Sequence, residues 1–297
     1  MRHTRTLVAA ATVLAAAGLA ACGGPKTASN ASNASGTTSA TSVPMVTVAD
    51  AMSKSTKATS HYASVRMKLS ENINAQGQDF STTGSGAMSW KPMAMDMTMT
   101  VPQLAAQLGG DGSIHMLMNG TTIYENMGDA AAAKLGGKHW LKMDLTALGA
   151  AGQALADQMN NSSNNDPATQ LKLFTSSPDI KRVGQETVDG VQATHYSGTV
   201  DFTKLAATQD SSIKSLLSQS AKLGITTMDV DLWVNDQSLP VRIHESTPPT
   251  ATSRLGMTVD YSDYSTTPVT VTAPPAGDTQ DLSDELKGAP GSISNAS

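Results

Sequence analysis

One cysteine and a formal charge of −5 over 297 residues exclude an intramolecular disulfide, a thiolate metal cluster and the basic surface that nucleic acid or anionic lipid would need. Stability must come from a packed core. The length suffices for one large domain, because no second linker-like break interrupts the chain and all-β domains often exceed about 200 residues.

The chain opens MRHTRTLVAAATVLAAAGLAACGG. Arg2 and Arg5 form a positive n-region, Leu7 to Leu19 an apolar stretch too short to span a membrane, and Leu19-Ala20-Ala21-Cys22 a small-residue cleavage site, so this segment reads as an export signal. LAAC followed by Gly23 resembles a bacterial lipobox, whose cysteine receives a diacylglyceryl group and becomes the first mature residue. Cys22 is then an anchor and not a nucleophile, and two acyl chains pass the limit at which one chain gives only reversible attachment. The Ser-, Thr-, Asn- and Gly-rich run after it has no apolar periodicity and is expected to be a flexible tether. The expected organisation is a signal peptide over 1–21, the lipidated Cys22 and tether over 22–42, one domain over 43–274 and a disordered tail over 275–297. Its expected place is the extracytoplasmic face of a cell membrane, held there by the diacylglyceryl anchor.

Helical spacing from Val46 to Ala58 predicts a first short helix, and period two then takes over. In YASVRMKLS, Val65, Met67 and Leu69 face one way and Arg66 and Lys68 the other, the mark of a strand with one wet face. The alternation returns over Asp79–Trp90, Met93–Thr100, Ile114–Met118, Thr121–Met127, His139–Asp144, Ile180–Val188, Val191–Asp201, Thr226–Val234, Pro240–Ser246 and Arg254–Tyr261. The Asn119-Gly120 and Asp189-Gly190 dipeptides between runs are hairpin signals. Helices are expected over Thr146–Met159, over Pro167–Phe174 with Asp166 as N-cap, and over Phe202–Leu223, with a frayed tail from Thr272.

Three segments, Asn119–Leu145, Val183–Asp201 and Met228–Ser246, resemble hairpins of actinobacterial lipoproteins related to the mycobacterial LppX and LprG carriers. The whole pattern is similar to the LolA-like architecture. That resemblance implies an α+β fold, a half-barrel of about eleven antiparallel strands strongly curved around a few helices that cover its concave face. It also implies an apolar cavity that carries or senses lipids or lipoproteins, lined by whatever side chains the strands supply.

No G-x-S-x-G, H-E-x-x-H, P-loop or dinucleotide fingerprint is present, so no catalytic residue, cofactor or metal site is assigned and no enzyme is expected. The unusual feature is methionine, 16 residues against 3 phenylalanines. Met93, Met95, Met97 and Met99 share one strand face, about 7 Å apart. Three readings compete: gap-filling core, a thioether site for Cu(I), and the wall of a cavity for an adaptable apolar guest. No His or Cys lies inside the run, which disfavours copper.

Taken with the alternation, the wall reading collects Val65, Met67 and Leu69; the four methionines from Met93 to Met99; Ile114, Met116 and Met118; Val230 and Leu232; Val241 and Ile243; and Leu255, Met257 and Val259. The function expected is binding of a lipid or other amphiphile for envelope transport or presentation. The alternative is a structural or regulatory envelope lipoprotein working through a protein partner that the sequence does not identify.

Overall fold

The computed structural model describes residues 47–75, 78–105, 110–149, 152–153, 156, 171, 174, 177, 179–205, 225–248 and 254–283. Cys22, the expected signal and tether, the Asp166-Pro167 helix start and most of the expected helix from Phe202 lie outside them.

Helix α1, Val48–Thr59, starts because the Thr47 hydroxyl accepts the Asp50 backbone N–H at 3.1 Å, an N-cap that satisfies one of the orphan donors of the first turn. Met52, Ser55 and Thr59 recur at helical spacing and form its buried stripe. Twelve strands follow: β1 Ser64–Ala75, β2 Gln78–Trp90, β3 Met93–Thr100, β4 Ser113–Asn119, β5 Thr122–Asn126, β6 Trp140–Asp144, β7 Lys181–Val188, β8 Val191–Asp201, β9 Thr227–Asn235, β10 Pro240–Ser246, β11 Arg254–Ser265 and β12 Thr279–Asp281. Short helices α2, Asp129–Ala132, and α3, Phe202–Leu205, lie between β5 and β6 and after β8.

The strands make one sheet in the order β12-β6-β5-β4-β3-β2-β1-β11-β10-β9-β8-β7. β1 pairs with β11, and every neighbour is antiparallel except β12, which runs parallel to β6. The sheet is open, with β12 and β7 as its two ends. All eleven alternating segments of the sequence are strands in it.

The hairpins follow turn chemistry. Asp189 and Gly190 both have positive φ, 48° and 84°, between the paired Val188 and Val191, the type I′ geometry that matches strand twist. At the other signal the turn sits one residue further on than the dipeptide suggests. Asn119 pairs with Thr122, so Gly120, at φ 58°, and Thr121 make the loop.

Two expectations need correction. The tail expected to be disordered from 275 is ordered through 283. Ala276–Asp278 forms a 3-10 turn and Thr279–Asp281 the twelfth strand. Leu282 N–H donates to Lys142 O at 2.9 Å, Lys138 Nζ to Thr279 O at 2.9 Å, and Lys142 Nζ meets Asp281 Oδ2 at 2.7 Å. A three-residue strand is too short to show alternation. Its order comes from covering the β6 edge, which would otherwise present unpaired backbone groups. The second correction is Val241, expected beside Ile243. The β9–β10 register slips between Pro240 and Arg242, and Val241 joins a separate cluster with Val188, Ala193 and Trp233.

Glycine decides one close approach. Gly86 of β2 faces Met97 of β3, and a Cβ there would collide with Asp96 O and the Met97 Cα, both backbone atoms. At Gly84 the nearest atom to an added Cβ is Met99 Cγ at 3.3 Å, the middle of a flexible side chain. Gly86→Ala should therefore lower stability by about 1–3 kcal/mol, the cost of overpacking, whereas Gly84→Ala should cost less than about 1 kcal/mol. Urea unfolding midpoints of the two variants check this.

Candidate ligand-binding face

The pleat sends alternate residues to opposite faces, so the strand register states which side chains meet. One face carries the apolar residues. On it Met67 of β1 opposes Tyr261 of β11 and Gly86 of β2, and Leu69 opposes Val259 and Gly84. From β2 the row continues through Met97 and Met99 of β3 to Met116 and Ile114 of β4. On the other side Val259 opposes Ile243 of β10, which opposes Leu232 of β9. We call this the inner face.

Its apolar side chains fall into two clusters. The larger includes Met52 of α1, Val65, Trp90, Leu232, Ile243 and Val259, with Leu171, Phe174 and Phe202 packed in. The smaller joins Met93, Met118 and Ile123 to Leu145 and Ala156, with Met95 and Met116 beside them. Between the two, β2 contributes only Gly84 and Gly86, flanked by half-buried Met67 and Leu69 on one side and by Met97 and Met99 on the other. Missing side chains on β2 leave a trough over which the long methionines extend. Met97 is 5% exposed, and Gly84 and Gly86 lie under its Cε and Cγ.

The register thus brings onto one face Val65, Met67, Leu69, Met93, Met95, Met97, Met99, Ile114, Met116, Met118, Val230, Leu232, Ile243, Leu255, Met257 and Val259. Of the set expected from the sequence and lying in the described residues, Val241 alone is placed elsewhere. Beyond Met257 the inner face reaches the tips of β1, β2 and β11. A cavity of about 490 Å³ opens there, lined by inner-face Ile73, Phe80 and Leu255 with Thr247 and also by outer-face residues of the same strand tips, Asp79 and Arg254 among them. That volume lies in the range of about 300–1,000 Å³ typical of small-molecule sites.

Three carboxyl groups on this face escaped the sequence reading. Glu71 follows Leu69 in the inner-face phase of β1, Glu245 follows Ile243 on β10, and Glu125 follows Ile123 on β5. An acid at an apolar phase of the alternation was the signal available. Glu71 is 2% exposed and Glu245 7%, and among the described residues Glu71 Oε1 has no hydrogen-bond partner. Burial pushes the Glu245 carboxyl up to about 7 and raises Glu71 and Glu125 as well. Burial, and then the charge of Glu245, raises Tyr261 on the same face.

The outer face is polar and already paired. His195 stacks on Trp233 at 4.3 Å and bridges Glu186 Oε1 at 2.9 Å and Asp231 Oδ1 at 2.7 Å, while the Trp233 indole donates to Glu186 Oε2 at 2.8 Å. His115 meets Asp96 at 2.8 Å, His244 meets Thr258 at 2.9 Å, and Arg242 binds Asp260. His139 is tied to Asp278 beside β12. The contacts of His195, His115, His244 and Arg242 are cross-strand pairs that fasten the sheet, and these three histidines lie on its outer face. Among the described residues no cluster of three His, Cys, Asp or Glu side chains could hold a metal, and no helix is long and apolar enough to cross a membrane.

Glu245 predicts a pH dependence. Its folded value lies above its unfolded one, so the protonated group contributes stability fully below about 4.5, and that contribution is lost as pH rises through about 7. Glu245→Gln, uncharged throughout, should be more stable than the parent at pH 8, by up to about 3 kcal/mol, and nearly equal to it at pH 5. Urea midpoints at the two pH values give the sign.

No family model matches the sequence. The chain is 38% identical over 231 residues to the "Uncharacterized 31.2 kDa protein in rplA-rplJ intergenic region" of Streptomyces griseus, covering 73% of this chain and 74% of that protein. It is 34% identical over 252 residues to "Putative lipoprotein SCO4650" of Streptomyces coelicolor, covering 80% and 76%. Among solved structures it is similar to LprF from Mycobacterium bovis, with TM-score 0.48, 15% identity and coverage of 76% of this chain and 96% of that one. A second is the Mycobacterium tuberculosis lipoprotein LppX, with TM-score 0.47, 16% identity and coverage of 76% and 98%. At these identities and coverages, the chain belongs to the family of the two Streptomyces proteins.

Proposed function

We propose that this protein is an exported lipoprotein, anchored through Cys22 on the outer side of a cell membrane, whose inner sheet face binds a lipid or other amphiphile for transport or presentation. The observation that carries the reading is the inner face itself. Apart from Glu71, Glu125 and Glu245 it is mainly apolar across β1–β5 and β8–β11, yet between its two clusters a glycine-floored strip is bordered by half-buried Met and Leu. A sheet whose only task was a rigid core would close that strip with branched side chains, whereas unbranched thioethers adapt to an apolar guest of imprecise shape. The lipobox at Cys22 and membership in a family that includes a protein named as a putative lipoprotein support the anchor. Binding in this account is burial of acyl chains against alternate strand residues, without covalent chemistry, at about 0.8 kcal/mol per methylene removed from water.

The strip gives the test. An environment-sensitive apolar probe should bind the chain and be displaced by a diacylated lipid. Leu69→Lys and Met99→Lys, each placing a charge on the strip, should weaken probe binding more than about tenfold. Met99→Leu should bind like the parent, since the swap conserves volume and apolarity. Equal binding by all three variants would show that the probe sits elsewhere and overturn the reading.

A further inference from the structure

Resting on the lipid-binding reading, the buried carboxyls of the inner face carry a more specific conclusion. Glu71 of β1 is opposite Met257 of β11, and Met257 is opposite Glu245 of β10. The two acids therefore stand in one cross-strand row on the same face, about 10 Å apart at their backbones, with one methionine between them. The next row toward the strand tips is Ile73, Leu255 and Thr247, which lines the cavity of about 490 Å³. The preceding row is Leu69, Val259 and Ile243, which belongs to the larger apolar cluster. The acids thus mark the boundary between an open pocket and a greasy wall.

A buried polar atom without a partner costs about 1–3 kcal/mol, and among the described residues Glu71 Oε1 is such an atom, while Glu245 beside it in the row is buried without a matching charge. Among the described residues neither acid faces a cation on the inner face. The other titratable side chains of that face on β1 and β8–β11 are Tyr196 and Tyr261, with Arg182 opposite Tyr196 at the exposed β7 end, and the α1 charges Asp50, Lys54 and Lys57 are exposed. At neutral pH such a carboxyl samples both forms: either accepts from a hydroxyl, the protonated form also donates to an ester carbonyl, and the ionised form repels phosphate.

We propose that Glu71 and Glu245 form a polar contact site for the uncharged junction of an acylated lipid, its ester carbonyls and hydroxyls, and that this site excludes anionic headgroups. The acyl chains then run from the acid row along the Met and Leu strip, and the junction sits beside the cavity at the strand tips.

The test is photo-crosslinking on the full chain in membranes at neutral pH, with photoactivatable diacylglycerol and phosphatidic acid of the same acyl length, the labelled peptides being mapped by mass spectrometry. The expected result is labelling of inner-face peptides of β1, β3 and β11 by diacylglycerol at least about tenfold above phosphatidic acid. In the double variant Glu71→Gln, Glu245→Gln that preference should fall below about threefold, because the amide hydrogen-bonds and does not ionise. Glu125→Gln, on the same face but outside the row, should keep it. Equal labelling by both lipids in the parent, or an unchanged preference in the double variant, overturns the acid site and leaves lipid binding intact. Absence of inner-face labelling by either lipid overturns lipid binding and the acid site together.

Discussion

Everything described depends on the continuous antiparallel register that runs from β6 to β7 through the β1–β11 pairing. Because side chains alternate strictly, a slip of one residue in any central pair would turn Met67, Leu69 and Val259 outward and bury Arg66, Lys68 and Asp260 instead. The pairing of Met67 with both Tyr261 and Gly86 is therefore a constraint on the whole inner face. The outer face guards the same register with polar pairs: Arg242 with Asp260, His195 with Asp231, and His115 with Asp96. Their contribution is specificity more than stability, since partly exposed ion pairs are individually worth little.

Much of this was legible in the sequence because period two is a property of every strand and survives without tertiary information. Met93 to Met99 reads as one face on spacing alone, and the register confirms that Met95, Met97 and Met99 oppose Met118, Met116 and Ile114. Less local features were not legible. β12 has three residues and no period of its own; its order is created by β6 and by the Lys142–Asp281 and His139–Asp278 contacts, which span nearly half the chain. Val241 leaves its expected face because of a bulge, and a bulge is a relation between two strands that neither displays alone.

The face also answers why methionine was chosen. Gly84 and Gly86 on β2 are as much a part of the strip as Met97 and Met99 opposite them on β3. Two glycines beside a row of long unbranched side chains make a surface whose height is set by rotamers and not by backbone. Branched residues would have fewer rotamers there and fix the surface. The thioethers of Met93 and Met95 pack against Ile123, Leu145 and Ala156, the surroundings of ordinary apolar side chains. Within that apolar surface the glutamates stand out, and the raised carboxyl of Glu245 ties the stability of the fold to the same row that the lipid junction would occupy.

The most direct measurement of the central claim is native mass spectrometry of the full chain released from membranes in mild detergent, with the released adducts identified after extraction in organic solvent. The account predicts one amphiphile per chain, carrying at least one acyl chain and lost from a Leu69→Lys, Met99→Lys double variant that remains folded. A parent chain free of any amphiphile, and still free of it after incubation with diacylated lipid, would contradict the account.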